Sequence, residues 1–206
     1  MHRPLALTIA AAIVPLAASF WFLTEFFGPL TGYAAGLCFY WALLWALILR
    51  TTTPARRAEL LVAHSPGRTI TLLLGLPVIL LGLVGMAALG DGTLSTGLLL
   101  LVALGAIVNG LTEELFWRGA LLPEPLPDNR AVILALTLFT LWHVALFAAQ
   151  GITFPGGPLT LLAGAGALGA IWMAARLQTG TVGAGVLSHV GVNLFAFTHF
   201  LTENLA

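Results

Sequence analysis

Residues 94–122 read LSTGLLLLVALGAIVNGLTEELFWRGALL. From Leu94 to Thr112 the stretch carries no charged side chain, and its only amide is Asn109; then Glu113, Glu114 and Arg118 arrive before the apolar pattern ends at Leu122. An apolar stretch beyond about 20 residues is long enough to cross the hydrocarbon core as a helix. An acidic residue inside such a helix costs ~2.5–3.5 kcal/mol on insertion scales, so intramembrane carboxylates face protein or a water cavity and are functional hypotheses by default. This one stretch therefore predicts both the surroundings of the chain and the place of its chemistry.

The same pattern recurs on both sides. Apolar runs separated by polar or Pro/Gly punctuation predict six further spans, at about Leu5–Leu23, Leu30–Leu49, Thr69–Leu89, Ala131–Ala149, Leu159–Leu177 and Thr181–Leu201. The breaks include Gly90-Asp91-Gly92, a Pro-rich loop from Pro123 to Arg130, and a Gly/Pro loop from Gln150 to Pro158. Composition agrees. Of 206 residues, 59% are hydrophobic and 8% charged, and the mean hydropathy is +1.01. A soluble domain carries roughly 25% charged residues, so a soluble enzyme is excluded, and so is a disordered chain, which needs low hydrophobicity and high charge. The fold class expected is all-α: a polytopic transmembrane helix bundle of about seven spans (six to eight), with residues 1–206 forming one membrane domain. A net charge of zero offers no basic surface for nucleic acid. Cys38 is the only cysteine, which excludes an internal disulfide, and in its apolar run it reads as a small core residue.

Orientation follows from the arginines. With seven alternating spans and a cytoplasmic N-terminus, Arg3, Arg50, Arg56, Arg57, Arg68, Arg118, Arg130 and Arg176 all fall on the cytoplasmic side. His2-Arg3, the apolar run and Ala17-Ala18-Ser19 resemble a signal peptide, but the run continues to Leu23 and six spans follow, so an uncleaved first span is expected. Residues Ala55 to His64 can form a short amphipathic helix on the cytoplasmic leaflet. Gly28, Gly32 and Gly36 give two GxxxG spacings at which helices can approach closely.

Three polar clusters lie inside spans. Glu113 and Glu114 point about 100° apart on a helix. Glu114 and Arg118 stand at i, i+4 with the acid first, the favoured order for an ion pair, which leaves Glu113 free to act as a general acid or base. His143 follows Phe139 by one turn, about 18 Å deep at the helical rise. His189 and Asn193 share one face at i, i+4, and both can donate hydrogen bonds. Ser188 points away from His189, and no acid accompanies it as the logic of a catalytic triad requires. His199 reads as interfacial. The depths of Glu113, His143 and His189 overlap in the cytoplasmic half of the bilayer, so one shared cavity is geometrically allowed.

In order along the chain, Glu113-Glu114-Leu115-Phe116-Trp117-Arg118-Gly119 resembles an EExxxR motif, Phe139-Thr140-Leu141-Trp142-His143 resembles FxxxH, and His189-Val190-Gly191-Val192-Asn193 resembles HxxxN. Together they resemble the CPBP (ABI) family of intramembrane proteases, which includes the type II CAAX prenyl endopeptidase; Thr179-Gly180 also fits that pattern. The resemblance implies a glutamic protease without metal or other cofactor, its catalytic core at about residues 94–201. Glu113 and His143 would hold and activate the attacking water, and His189 and Asn193 would stabilise the oxyanion. Glu114, Arg118 and Phe139 would support them. The substrate implied is a membrane-anchored protein, cleaved near a lipidated or hydrophobic C-terminal tail. The localisation expected is a bacterial inner (plasma) membrane. Three other readings stay open on the sequence: a zinc site using Glu113, His143 and His189, a proton-coupled transporter, and a non-catalytic membrane or immunity protein.

Overall fold

In a computed structural model, residues 1–90, 94–124 and 128–205 are described. The break at Asp91-Gly92 and residues 125–127 of the Pro-rich loop lie outside them. Among the described residues, seven helices are long and apolar enough to cross a membrane. They are α1 (Arg3–Phe27), α2 (Pro29–Thr51), α4 (Arg68–Gly90), α5 (Thr96–Glu114), α6 (Asn129–Trp142), α7 (Pro158–Thr179) and α8 (Gly183–Leu205). A short helix, α3 (Pro54–Leu60), covers the first part of the Ala55–His64 segment that the sequence allows to be helical, and Val62 to His64 lie outside it. α5 runs on as a π-helical turn, Leu115–Ala120, and α6 as a 3-10 turn, His143–Ala148.

The ends of these helices follow from local chemistry. Pro29 starts α2, Pro54 starts α3 and Pro158 starts α7, positions at which the missing proline N–H has no intrahelical partner to lose. Ser95 and Asp128 accept from backbone N–H groups at the starts of α5 and α6. The chain reverses between α1 and α2 on Gly28 alone, at φ +82°. Here the predicted glycine spacing has a direct reading. A Cβ at Gly32 would run into the backbone of Leu23 and Thr24, and one at Gly36 into the Phe20 ring. Small residues thus let α1 and α2 close into a tight hairpin.

The helices pack in the order α4, α8, α5, α2, α1, α6, α7, and α7 closes the ring against α4 and α8. Apolar side chains such as Leu7, Leu72, Ile79, Leu100 and Leu159 face outward. Asn109, Glu113, Glu114, Arg118, Arg176, His189 and Asn193 face inward. This is polar-in, apolar-out, as an integral membrane protein requires. Cys38 departs from expectation: it is exposed on the apolar outside of α2. Preferential burial of cysteine describes chains in water, and in lipid an outward apolar thiol loses nothing.

The arginine-bearing segments meet at one end of the bundle. His2 N–H donates to Leu121 O at 2.8 Å, Val182 N–H to Leu60 O at 2.7 Å, and Gly67 N–H to the Gln178 side chain at 2.9 Å. Glu124 lies 3.0 Å from Arg56 and 3.5 Å from Arg176. The hydrogen bond from Arg56, then the charges of both guanidiniums, hold the Glu124 carboxyl below the usual carboxylate range. Arg176 is not a loop cation: it is buried, and its Nε donates to Arg118 O at 2.9 Å.

Candidate functional site

The charged part of residues 94–122, from Glu113 to Arg118, is buried inside the bundle. Glu113 is 1% exposed, and Glu114 and Arg118 are 0% exposed. The α-helix loosens into the π turn directly after Glu114, an irregularity frequent at functional sites. Arg118 donates to Glu114 Oε1 at 3.0 Å, the i, i+4 pair expected from spacing. It also donates to Gly169 O at 3.1 Å and lies 4.1 Å over the Phe139 ring. Phe139 therefore supports Arg118 as well as His143, whose ring it meets edge-on at 5.1 Å.

α8 brings its imidazole to both acids. His189 Nδ1 lies 3.0 Å from Glu114 Oε1, and Nε2 lies 3.5 Å from Glu113 Oε2. Carboxylate oxygens accept, so the Nδ1 proton serves Glu114, and Nε2 and Glu113 Oε2 form a place where a proton can be shared. Trp172 of α7 stacks on His189 with centroids 3.8 Å apart and fixes the ring plane. The close seat of α8 depends on Gly185, where a Cβ would stand 2.9 Å from Glu114 Oε2. Asn193, one turn beyond His189, is 7% exposed, and its Nδ2 has no hydrogen-bond partner.

His143 stands at the change from α6 to the 3-10 turn and is half-buried. Its Nδ1 is 2.8 Å from Phe139 O. A carbonyl only accepts, so Nδ1 carries the proton in the neutral ring and Nε2 is left as a bare acceptor. His143 bonds this carbonyl rather than Glu113. Ser188 points elsewhere: it donates to Leu74 O at 2.8 Å and receives the Trp172 indole N–H at 3.1 Å, so it steadies the ring that stacks on His189. His199 pairs with Glu203 at 3.3 Å, half-exposed near the end of α8.

Four contributors have no role assigned by the sequence. Tyr40 of α2 donates to Glu113 Oε1 at 2.9 Å, and Trp41 donates to Asn109 Oδ1 at 2.7 Å. Trp117 donates to Tyr40 Oη at 3.1 Å, and Trp172 is the ring on His189. The available signal was position. Tyr and Trp gather at the membrane interfaces, yet Tyr40 and Trp41 stand in mid-span, where each polar tip needs a buried partner. Among the described residues, no group of three or more His, Cys, Asp or Glu side chains is placed to hold a metal ion.

Residues 95–195 match the protein-family model described as type II CAAX prenyl endopeptidase Rce1-like. All three sequence motifs lie within the match. No curated protein and no solved structure matches the chain.

Proposed function

The chain belongs to the Rce1-like family of type II CAAX prenyl endopeptidases, membrane-embedded proteases, and on that premise we propose that it is a glutamic intramembrane endopeptidase in which Glu113 activates water. The substrate proposed is a membrane-anchored protein, cut near a C-terminal tail that is lipidated or hydrophobic. The catalytic core is assigned to residues 94–201, and the N-terminus to the cytoplasm of a bacterial inner membrane.

One observation carries this reading. A buried carboxylate, Glu113, lies 3.5 Å from His189 Nε2, and one turn further along the same helix as His189 a buried donor, Asn193 Nδ2, has no partner. Peptide hydrolysis needs those two things together: a base for water and a donor waiting for the oxyanion. In the proposed sequence a water lies between Glu113 and His143 Nε2, and Glu113 takes its proton as the oxygen attacks the scissile carbonyl. The carbonyl π electrons move to oxygen; Asn193 Nδ2–H donates to the oxyanion, and so does His189 Nε2–H, His189 acting as the imidazolium with its Nδ1–H on Glu114. The tetrahedral intermediate collapses, the C–N bond breaks, and the proton held by Glu113 passes to the departing amine. Glu114 and Arg118 hold His189 and the π turn in register. Because Glu113 is 1% exposed, the surrounding side chains must part for substrate to enter. The substrate must present an extended segment, since peptide bonds inside a helix are already hydrogen-bonded.

The test compares wild type with Glu113→Gln and His143→Ala, purified into phospholipid vesicles with a farnesylated peptide ending in a CAAX tetrapeptide. In parallel, the C-termini of membrane proteins are read by mass spectrometry in the host. Loss of a general base lowers rates by about 10²–10⁴, so both variants should lose cleavage in one assay or both. Equal trimming in all three proteins sinks the protease mechanism. Proton flux without cleavage would instead favour the transporter, and chelator inhibition reversed by zinc would favour the metal site.

A further inference from the structure

Tyr40 lies on α2, outside residues 95–195, and no motif contains it. Its ring is wholly buried and stacks on Trp142, with centroids 3.8 Å apart and planes at 14°. A phenylalanine would fill the same space without bringing a hydroxyl into an apolar interior, where an unpaired one is costly. The hydroxyl has two partners, Glu113 Oε1 at 2.9 Å and Trp117 Nε1 at 3.1 Å. An indole N–H can only donate. The tyrosine oxygen therefore accepts from Trp117, and its own proton is directed at Glu113.

We propose that Tyr40 is a positioning residue for Glu113, with Trp117 setting the direction of the bond between them; this rests on the proposed role of Glu113 as base. The last torsion of a glutamate is broad and roughly two-fold, so a buried carboxylate held only by packing can turn. Tyr40 pins Oε1. Oε2 is left toward His189 Nε2, 3.5 Å away, and toward the water. The stack on Trp142, whose ring centroid is 4.5 Å from that of His143, ties the tyrosine to the element that carries the second water-binding group. Tyr40 acts through Glu113 and touches no reacting atom.

The experiment measures kcat and KM for the farnesylated CAAX peptide in vesicles, with Tyr40→Phe, Trp117→Phe and Glu113→Gln beside wild type. Losing a hydrogen bond to a charged group predicts a fall in kcat of about 10- to 100-fold for Tyr40→Phe. KM should stay within about two-fold, since only the chemical step is touched. Trp117→Phe, which keeps Tyr40 but frees its direction, should lose about 3- to 10-fold in kcat. Wild-type kcat in Tyr40→Phe while Glu113→Gln is inactive overturns the inference alone. So does a raised KM at unchanged kcat, which would place Tyr40 in substrate binding. If Tyr40→Phe does not fold, Trp117→Phe decides: a kcat loss at constant KM supports the inference, and wild-type kcat overturns it. If Glu113→Gln equals wild type, the proposed mechanism falls and takes this inference with it.

Discussion

Arg118 carries a charge in a place with 0% exposure, and its partners explain how. Glu114 neutralises it, Gly169 O takes a second donor, and the Phe139 ring covers a face. Removing one member of a buried pair leaves the other uncompensated and costs about 3–5 kcal/mol, whereas removing both together is often close to neutral. Arg118→Met should therefore lower the thermal unfolding midpoint in detergent far more than the double variant Arg118→Met/Glu114→Gln. A double variant less stable than Arg118→Met would mean that the pair is not the main support there. This pair was legible in the sequence because i, i+4 spacing is local and a helix converts it into distance. The partners of Glu113 were not. The family resemblance set His143 across a water from Glu113, whereas the direct hydrogen bond comes from Tyr40, 73 positions away. Nothing in one sequence measures the gap between two helices.

At the scale of the element, the spans were legible and their irregular ends were not. Each predicted span has its helix, because length and hydropathy alone select a crossing helix in lipid. The π turn after Glu114 and the 3-10 turn at His143 left no mark in the apolar pattern. They arise where α5 and α6 must seat large or charged groups against neighbours. The contact of α5 with α8 needs a small residue at Gly110 as well as at Gly185. A Cβ on Gly110 would stand 2.8 Å from Val190 Cγ2 and 3.0 Å from Val190 N. The second of these is backbone, adjacent to His189, and cannot swing aside. Gly110→Ala should push α8 away from Glu113 and Glu114, and a misplacement of 1 Å can lower a catalysed rate about 10²-fold. Gly75 of α4 is the control, since a Cβ there meets nothing within 4 Å. Gly75→Ala should cleave the farnesylated peptide and unfold like wild type. Wild-type rates in Gly110→Ala would mean that the interface yields without moving His189.

For the whole molecule, one end gathers charge and the other is nearly free of it. Arg56 and Arg176 converge on Glu124, and the start of α1 is tied to Leu121, beside the π turn that holds Arg118. Arginines near span ends are retained on the cytoplasmic side, so this end should face the cytoplasm. Some of these arginines serve the fold as well: Arg176 and Arg118 are buried and hold backbone carbonyls. The loop between α6 and α7 contains exposed Thr153 and belongs to the opposite end; exposed Ala55 of α3 belongs to the charged end. In a Cys38→Ala background, single cysteines at these two positions can be treated with a membrane-impermeant maleimide. Intact cells should label Thr153→Cys and spare Ala55→Cys, and inside-out vesicles should reverse the result. The opposite pattern would place the N-terminus outside and the site in the outer half of the bilayer, where a substrate held in the cytoplasmic leaflet could not reach Glu113.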